Sequence, residues 1–243
     1  YGSLVYQDTL FISDCTTGRI QRFSLDGDHL STIGRRGSAL GHLRYPADID
    51  INSEGVLFAV EEQNHRVQLF DLLGNHVAYF GEYGVEPGQF NNPLGLTIDH
   101  NDDIYVIDYA NNRVQKFDRD FNILNIWGSM GEGEGQFKYP YYATVDHQDY
   151  LYVVDRGNNR IQKFNSLGEF VLEFGDGILN YPHEIAVDVH NNVYVADTRN
   201  HRIVVFDDQG NYLNSFGDIN TIKTPKTVAV DNEGYVYVSD LFS

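Results

Sequence analysis

The sequence predicts an all-β fold made of repeated four-stranded antiparallel sheets, and three observations support this prediction. A proline followed by a β-branched, alternating run recurs every 42–47 residues along the 243-residue chain. Three further clusters follow each proline in a fixed order, and each alternates apolar and polar residues as a half-buried strand does. Gly, Asn and Asp stand between the clusters, as tight turns require. Four short strands in a period of this length are typical of one blade of a β-propeller.

The four strands of the repeat, A to D, are each marked by a recurring residue. Strand A follows a proline, at Pro46, Pro93, Pro140, Pro182 and Pro225. Strand B ends in an acid, at Asp14, Glu61, Asp108, Asp155, Asp197 and Asp240. Strand C begins five residues after the acid with an arginine, at Arg19, Arg66, Arg113, Arg160 and Arg202. Strand D ends before a glycine in an apolar residue, at Ile33, Phe80, Trp127, Phe174 and Phe216.

The turns between these strands have their own signatures. The A–B turns begin with a capping residue, at Asn52, Asp99, Asp146, Asp188 and Asp231. The C–D turns carry a glycine, as a turn with positive φ does, at Gly27, Gly74, Gly168 and Gly210. Phe121 stands in place of that glycine in the third copy, so we expect its hairpin to use another turn type. The acidic stretches 99–103 and 146–149 resemble calcium loops weakly, and turn capping explains them better.

The most complete repeat resembles a known family. It comprises the loop Gly81–Pro93, the strand B run Ile104–Asp108 and the strand C run Asn111–Phe117, and it is similar to an NHL repeat throughout. The resemblance covers nearly the whole chain and implies a six-bladed propeller. We expect one domain over 1–243, with copies at about 1–34, 46–81, 93–128, 140–175 and 182–217 and a partial copy at 225–243. Because that last copy stops after strand B, we expect the sixth blade to be incomplete and the natural chain to extend beyond one end.

Composition excludes some classes of function. The formal net charge of −18 opposes binding to a phosphate backbone, although a local basic patch can exist. The one cysteine, Cys15, rules out an internal disulfide. No apolar run is long enough to span a membrane. The acidic surface and the scarcity of cysteine favour a secreted or cell-surface protein.

The candidate ligand face follows from strand direction and from the resemblance. The D–A and B–C loops lie on one face of an antiparallel blade, and in the NHL family strand A lines a central channel. The side chains that we expect at the mouth of this channel are Asp48, Tyr109, Tyr141, Tyr142, Arg156, His183, Glu184, Arg199 and Lys226. Tyrosine and arginine are favoured at interaction hot spots.

The acid and the arginine of strands B and C are interpreted as structural pairs. A buried carboxylate needs a partner, and arginine is the usual one. The five predicted pairs are Asp14–Arg19, Glu61–Arg66, Asp108–Arg113, Asp155–Arg160 and Asp197–Arg202. The alternative, a cation-binding ring of acids, is disfavoured by the arginine that follows each of them.

Three classes of function stay open. A non-catalytic binding or scaffold module, for a protein partner, a small ligand or the rest of a larger chain, needs no group that the sequence lacks. A metal-dependent lyase or hydrolase, as the resemblance to amidating lyases and calcium-dependent hydrolases implies, would use zinc or calcium at His183, Glu184 and Asp48. A catalytic zinc needs about three protein ligands, and one histidine stands at the mouth, so we expect no cofactor and no enzyme activity. RNA binding, known in tripartite-motif NHL proteins, needs a basic face, and among the cations without a strand role only Arg35, Arg36 and Arg44 cluster.

Overall fold

Alternating apolar runs form strands throughout residues 2–241, the part of the chain that this computed structural model describes. These residues form five four-stranded antiparallel sheets and one two-stranded sheet. The predicted all-β blade is therefore confirmed, and the sixth blade has strands A and B alone in the described part of the chain. The chain divides into two compact units, here called unit 1 (up to Ile126) and unit 2 (from Trp127).

Unit 1 contains the first three blades up to Ile126, and Trp127, the last residue of β12, belongs to unit 2. Their strands are β1 Ser3–Tyr6, β2 Thr9–Asp14, β3 Arg19–Ser24 and β4 His29–Ile33; β5 Pro46–Ile51, β6 Leu57–Glu61, β7 Arg66–Phe70 and β8 His76–Phe80; β9 Pro93–Ile98, β10 Ile104–Asp108, β11 Arg113–Phe117 and β12 Ile123–Trp127. The strands of each blade pair in chain order, and strand A of one blade lies against strand A of the next, as β5 does against β9.

Unit 2 contains the fourth and fifth blades and the partial sixth. Their strands are β13 Pro140–Val145, β14 Leu151–Asp155, β15 Arg160–Phe164 and β16 Phe170–Phe174; β17 Ile185–Val187, β18 Val193–Asp197, β19 Arg202–Phe206 and β20 Tyr212–Phe216; β21 Pro225–Val230 and β22 Val236–Asp240. The 3-10 turns Tyr109–Asn111, Arg156–Asn158 and Thr198–Asn200 form the B–C loops of the third, fourth and fifth blades. No helix in residues 2–241 has the length and apolar character of a membrane-spanning segment.

Aromatic side chains join consecutive blades within each unit. The strand C phenylalanine contacts the aromatic residue that ends strand D of the preceding blade, with ring centroids 5.1 Å apart for Phe80 and Phe117. In unit 2, Phe174 and Phe206 are 4.9 Å apart in the same way. Each such pair adds about 0.5–1.5 kcal/mol to the burial of its rings. The fixed place of these residues in the repeat therefore builds the contact between blades.

The A–B turns are closed by the predicted capping side chains. In the third blade, Oδ1 of Asp99 accepts hydrogen bonds from the N–H groups of Asn101 (2.9 Å) and Asp103 (3.0 Å). Oδ2 of Asp99 accepts one from the hydroxyl of Tyr105 at 3.0 Å. Asp146 repeats this arrangement with Gln148, Tyr150 and Tyr152 in the fourth blade. Both acidic stretches therefore act as turn caps.

The expectation that Phe121 changes the turn type is wrong. Phe121 adopts φ +66°, in the same left-handed region as the glycines of the other C–D turns, such as Gly74 at +89°. Its N–H donates to Asp118 O at 3.0 Å, just as Gly74 donates to Asp71 O at 2.9 Å. The Phe121 ring stacks on Phe80 with centroids 4.8 Å apart and planes 12° apart. We attribute the tolerance of a bulky residue in this strained conformation to that stacking contact.

Candidate functional site

Four of the predicted acid–arginine pairs are buried ion pairs at the B–C end of the blade. The Arg Nε to carboxylate distances are 2.6 Å for Arg66–Glu61, 2.7 Å for Arg113–Asp108, 2.8 Å for Arg160–Asp155 and 2.9 Å for Arg202–Asp197. All four acids are inaccessible to solvent. A charge buried in this way must be fully partnered to be tolerated, which explains the extra donors around each acid.

The fourth blade shows how complete the partnering is. Asp155 accepts hydrogen bonds from Lys138 N (2.8 Å), Asn158 Nδ2 (2.9 Å) and Gln162 Nε2 (3.2 Å), besides that from Arg160. The guanidinium of Arg160 also donates to the carbonyls of Gly133 (2.8 Å) and Gln136 (3.0 Å) in the preceding D–A loop. The pair therefore fixes that loop against the blade that follows it.

The fifth predicted pair, Asp14 with Arg19, is not formed in residues 2–241. Asp14 instead accepts hydrogen bonds from the N–H and the hydroxyl of Thr17, and Arg19 is exposed. In the other blades, carbonyls of a preceding D–A loop hold the arginine against the acid. No such loop precedes the first blade within the described residues, so nothing there positions Arg19.

The predicted ligand residues of unit 2 form one aromatic and cationic cluster. The guanidinium carbon of Arg156 lies 4.0 Å from the ring centroid of Tyr141 and 3.8 Å from that of Tyr181. Arg199 lies 4.0 Å from the same Tyr181 ring. Arg156 is the first residue of the 3-10 turn in the B–C loop of the fourth blade, and Arg199 is the second residue of the corresponding turn in the fifth blade. Tyr181 is the last residue of the D–A loop between these two blades. Cation–π contacts of this kind are worth about 0.5–2 kcal/mol each.

His183 lies beneath this cluster and is nearly inaccessible, at 1% exposure. Its ring is T-shaped to Tyr141, with centroids 4.6 Å apart, and stacks on Tyr142 at 5.5 Å with planes 28° apart. Burial holds the pKa of His183 well below its usual range, and the charges of Lys226 and Arg156 lower this pKa further. The neutral imidazole therefore acts as an aromatic floor at neutral pH.

The electrostatic balance of the cluster is positive. Arg156 and Arg199 make no ion pair with an acid among residues 2–241, and Lys226 is half-buried near Arg156. Burial lowers the pKa of Lys226, and the charge of Arg156 lowers it further. Glu184, which follows His183 in the sequence, is buried, at 6% exposure. A chain with a net charge of −18 thus concentrates three cationic side chains at this one place.

Two predicted ligand residues lie in unit 1, and Asp48 has a structural role there. Its two carboxylate oxygens accept hydrogen bonds from the N–H groups of Ile49 and Leu96, both at 2.9 Å. Gly2 covers it so closely that a β-carbon there would lie 2.2 Å from Oδ1. Burial raises the pKa of Asp48 well above its usual range. Asp48 therefore joins β5 to β9 and is covered, while Tyr109 begins a B–C loop and is half-buried.

Tyr181, which contacts both Arg156 and Arg199, is not among the ligand residues predicted from the sequence. This residue precedes the strand A proline and has φ +58°. The same position is occupied by Tyr45, Asn92 and Tyr139, all with φ between +53° and +59°. A tyrosine forced into the left-handed region at a recurring position is a signal that a repeat alignment within the chain could have shown.

No group of three metal-ligating side chains comes together within the described residues. The positive charge of Lys226 and Arg156 beside His183 also disfavours a cation there. The residues present in unit 2 therefore fit an anionic ligand better than a metal ion.

Solved structures with β-propeller folds resemble the chain over its whole length. A streptogramin B lyase matches with a TM-score of 0.73 and 15% identity, covering 100% of this chain and 83% of that one. A catalytically inactive virginiamycin B lyase from Staphylococcus aureus with quinupristin matches with a TM-score of 0.73 and 16% identity, covering 100% and 84%. A nidogen/laminin complex matches with a TM-score of 0.70 and 19% identity, covering 95% and 79%. At these identities the likeness shows the fold alone, a β-propeller.

The repeat itself identifies the family. The NHL-repeat sequence model matches residues 90–117 and 179–206, each of which runs from the D–A loop to the end of strand C. The chain is an NHL-repeat β-propeller. No curated protein sequence matches it.

Proposed function

We propose that this propeller is a non-catalytic binding module that holds an acidic group of a protein partner or small ligand on the cluster formed by Tyr141, Arg156, Tyr181 and Arg199. The observation that carries the proposal is that two arginines are positioned by aromatic rings, with no acid paired to them among residues 2–241. Arginine presents a planar set of donors that matches a carboxylate with two hydrogen bonds. Positioning by tyrosine lowers the entropy lost on binding.

The charge of the molecule makes this cluster selective. The excess of negative charge on the protein repels an acidic ligand. The ligand is therefore directed to the few places where, among residues 2–241, cationic side chains are not paired with an acid. The strand C arginines of unit 2, Arg160 and Arg202, are instead paired with Asp155 and Asp197. The fold thus separates arginines that hold the blades together from arginines that face a ligand.

Fluorescence anisotropy with a labelled penta-glutamate peptide, and with penta-glutamine as its neutral counterpart, tests the proposal. We expect saturable binding of the acidic peptide alone, and weakening of about tenfold or more in Arg156→Met or Arg199→Met, as for the loss of a charge-assisted hydrogen bond. Arg119→Met removes the same charge from a turn of the third blade and should leave binding unchanged. Equal weakening in all three variants would show a response to net charge and not a site.

A lyase or hydrolase is the second candidate function, and one observation favours it. A streptogramin B lyase has a similar fold. Elemental analysis of the untagged protein, before and after His183→Ala with Glu184→Ala, tests its metal-dependent form. A retained zinc or calcium ion that the double variant loses would support this candidate over the binding module.

A further inference from the structure

A cavity in unit 1 has the features of an anion-binding site. It has a volume of about 320 Å³ and is lined by Cys15, Thr16, Arg36, Arg44, Tyr45 and Gln63. These residues come from the B–C loops of the first and second blades and from the D–A loop between them. The volume lies at the small end of the range for ligand pockets, which fits a small organic molecule.

Four side chains with hydrogen-bond donors line this cavity without a partner among residues 2–241. The side chains of Thr16, Arg36, Arg44 and Gln63 make no hydrogen bond or ion pair with any part of the chain between residues 2 and 241. By contrast, the neighbouring Arg35 donates to Nε2 of His42 at 2.6 Å. Two guanidinium groups with a hydroxyl and an amide are the donors that a phosphate or carboxylate group requires.

The loop that carries both arginines is held in place by its main chain. Leu43 N donates to Arg35 O at 2.8 Å, and Gly37 N donates to Leu43 O at 3.1 Å. The N–H of Arg44 donates to the buried carboxylate of Glu61 at 2.7 Å. The first B–C loop packs closely on it, because a β-carbon at Gly18 would lie 2.5 Å from Leu43 O. The arginine side chains therefore extend from a fixed backbone, which reduces the cost of ordering them around a ligand.

The remaining groups at the cavity set its chemistry. The thiol of Cys15 donates to Pro46 O at 2.9 Å, and burial raises its pKa to about 12, so it is a wall of the cavity and not a nucleophile. Glu62 and Asp14 are close enough for their negative charges to act on that thiol. Burial raises the pKa of Glu62 as well.

We infer that this cavity binds a small organic oxyanion, a phosphate monoester or a dicarboxylate, through Arg36 and Arg44 with Thr16 and Gln63. The ligand chemistry is a compact, doubly charged anion, because two cations converge on a volume too small for a polymer segment. This site shares no residue with the aromatic and cationic cluster of unit 2.

Isothermal titration with inorganic phosphate, glycerol 3-phosphate and succinate at constant ionic strength tests this inference and separates the two ligand sources. We expect saturable binding of at least one organic probe, with a Kd that rises about tenfold or more in Arg36→Met and in Arg44→Met. Glu62→Gln should lower the Kd, because it removes one of the two negative charges, Glu62 and Asp14, that act on the cavity wall at Cys15. Arg119→Met should leave the Kd within about twofold of the parent value.

Three results would overturn the inference. One is the absence of saturable binding by any of the probes up to about 10 mM, a range in which even a weak site fills. Another is an equal loss in Arg119→Met, which would indicate non-specific charge attraction. The third is tighter binding of a short single-stranded RNA than of all three small anions. Arg36 and Arg44 are both exposed, so their replacement should not impair folding, and an unchanged thermal unfolding temperature checks this.

Discussion

Replacing Asp155 with asparagine tests whether the buried acid–arginine pairs stabilise the propeller. The carboxylate accepts hydrogen bonds from four donors, and its charge is opposite that of the buried Arg160. Asparagine keeps the shape, but it loses the charge and turns an amide N–H₂ group toward groups that also donate. Breaking a buried pair from one side costs about 3–5 kcal/mol, because the remaining charge stays uncompensated.

Asp14→Asn is the matched control, since Asp14 holds the same place in the repeat without an arginine paired to it among the described residues. Its contacts to Thr17 are partly exposed, so we expect a loss below about 1 kcal/mol. Guanidinium unfolding followed by far-UV circular dichroism measures both variants. Trp127, the single tryptophan, packs on Phe164 of the fourth blade and reports locally on Asp155→Asn. Equal losses in the two variants would refute the idea that the ion pair carries the stabilisation.

Two further predictions follow from buried titratable groups. Cys15, whose pKa is raised to about 12, should react with a disulfide reagent at pH 8 on the order of a thousandfold more slowly in the native than in the urea-unfolded protein; comparable rates would contradict its burial. Asp50 accepts hydrogen bonds from Ile51 N and Ile98 N, and burial raises its pKa to about 6. The folded state therefore holds this proton more tightly than the unfolded state, and the resulting stability is lost as pH rises from about 4 to about 6. We compare the free energy of unfolding of the parent with that of Asp50→Asn. The difference, parent minus variant, should fall over this window by less than about 3 kcal/mol, because solvent screens the half-buried Asp50. A rise would reverse the assigned sign.

The repeat made most of the fold predictable, because each of the four strands begins or ends with a characteristic residue: a proline, an acid, an arginine or an apolar residue before glycine. The five-residue spacing of acid and arginine predicted ion pairs, and four of the five have ion-pair geometry. The exception is Asp14 with Arg19. In the other blades, carbonyls of a preceding D–A loop hold the arginine in place, and the side-chain pattern of the sequence does not indicate such main-chain acceptors. Phe121 shows a similar limit, because a distant ring contact with Phe80 overrides the local preference for glycine.

The candidate site was predictable in its residue types but not in its arrangement. Asp48 stands where a ligand residue is expected, yet two main-chain N–H groups occupy its oxygens. Tyr181 holds Arg156 and Arg199 together, and nothing in its own strand pattern indicates that role. In both cases the deciding contact joins neighbouring blades, and the sequence of one repeat does not contain it.

The D–A loop is bonded to the blade that follows it more than to the blade that precedes it. Arg113 donates to three carbonyls of the loop before its own blade, at Val85, Glu86 and Gln89. An interchangeable cassette in this protein therefore begins with the loop and ends with strand D, as in residues 81–127. Duplicating or swapping repeats at the proline would separate the strand C arginine from the loop carbonyls that it donates to. A boundary just after strand D would keep that loop and its arginine in the same segment.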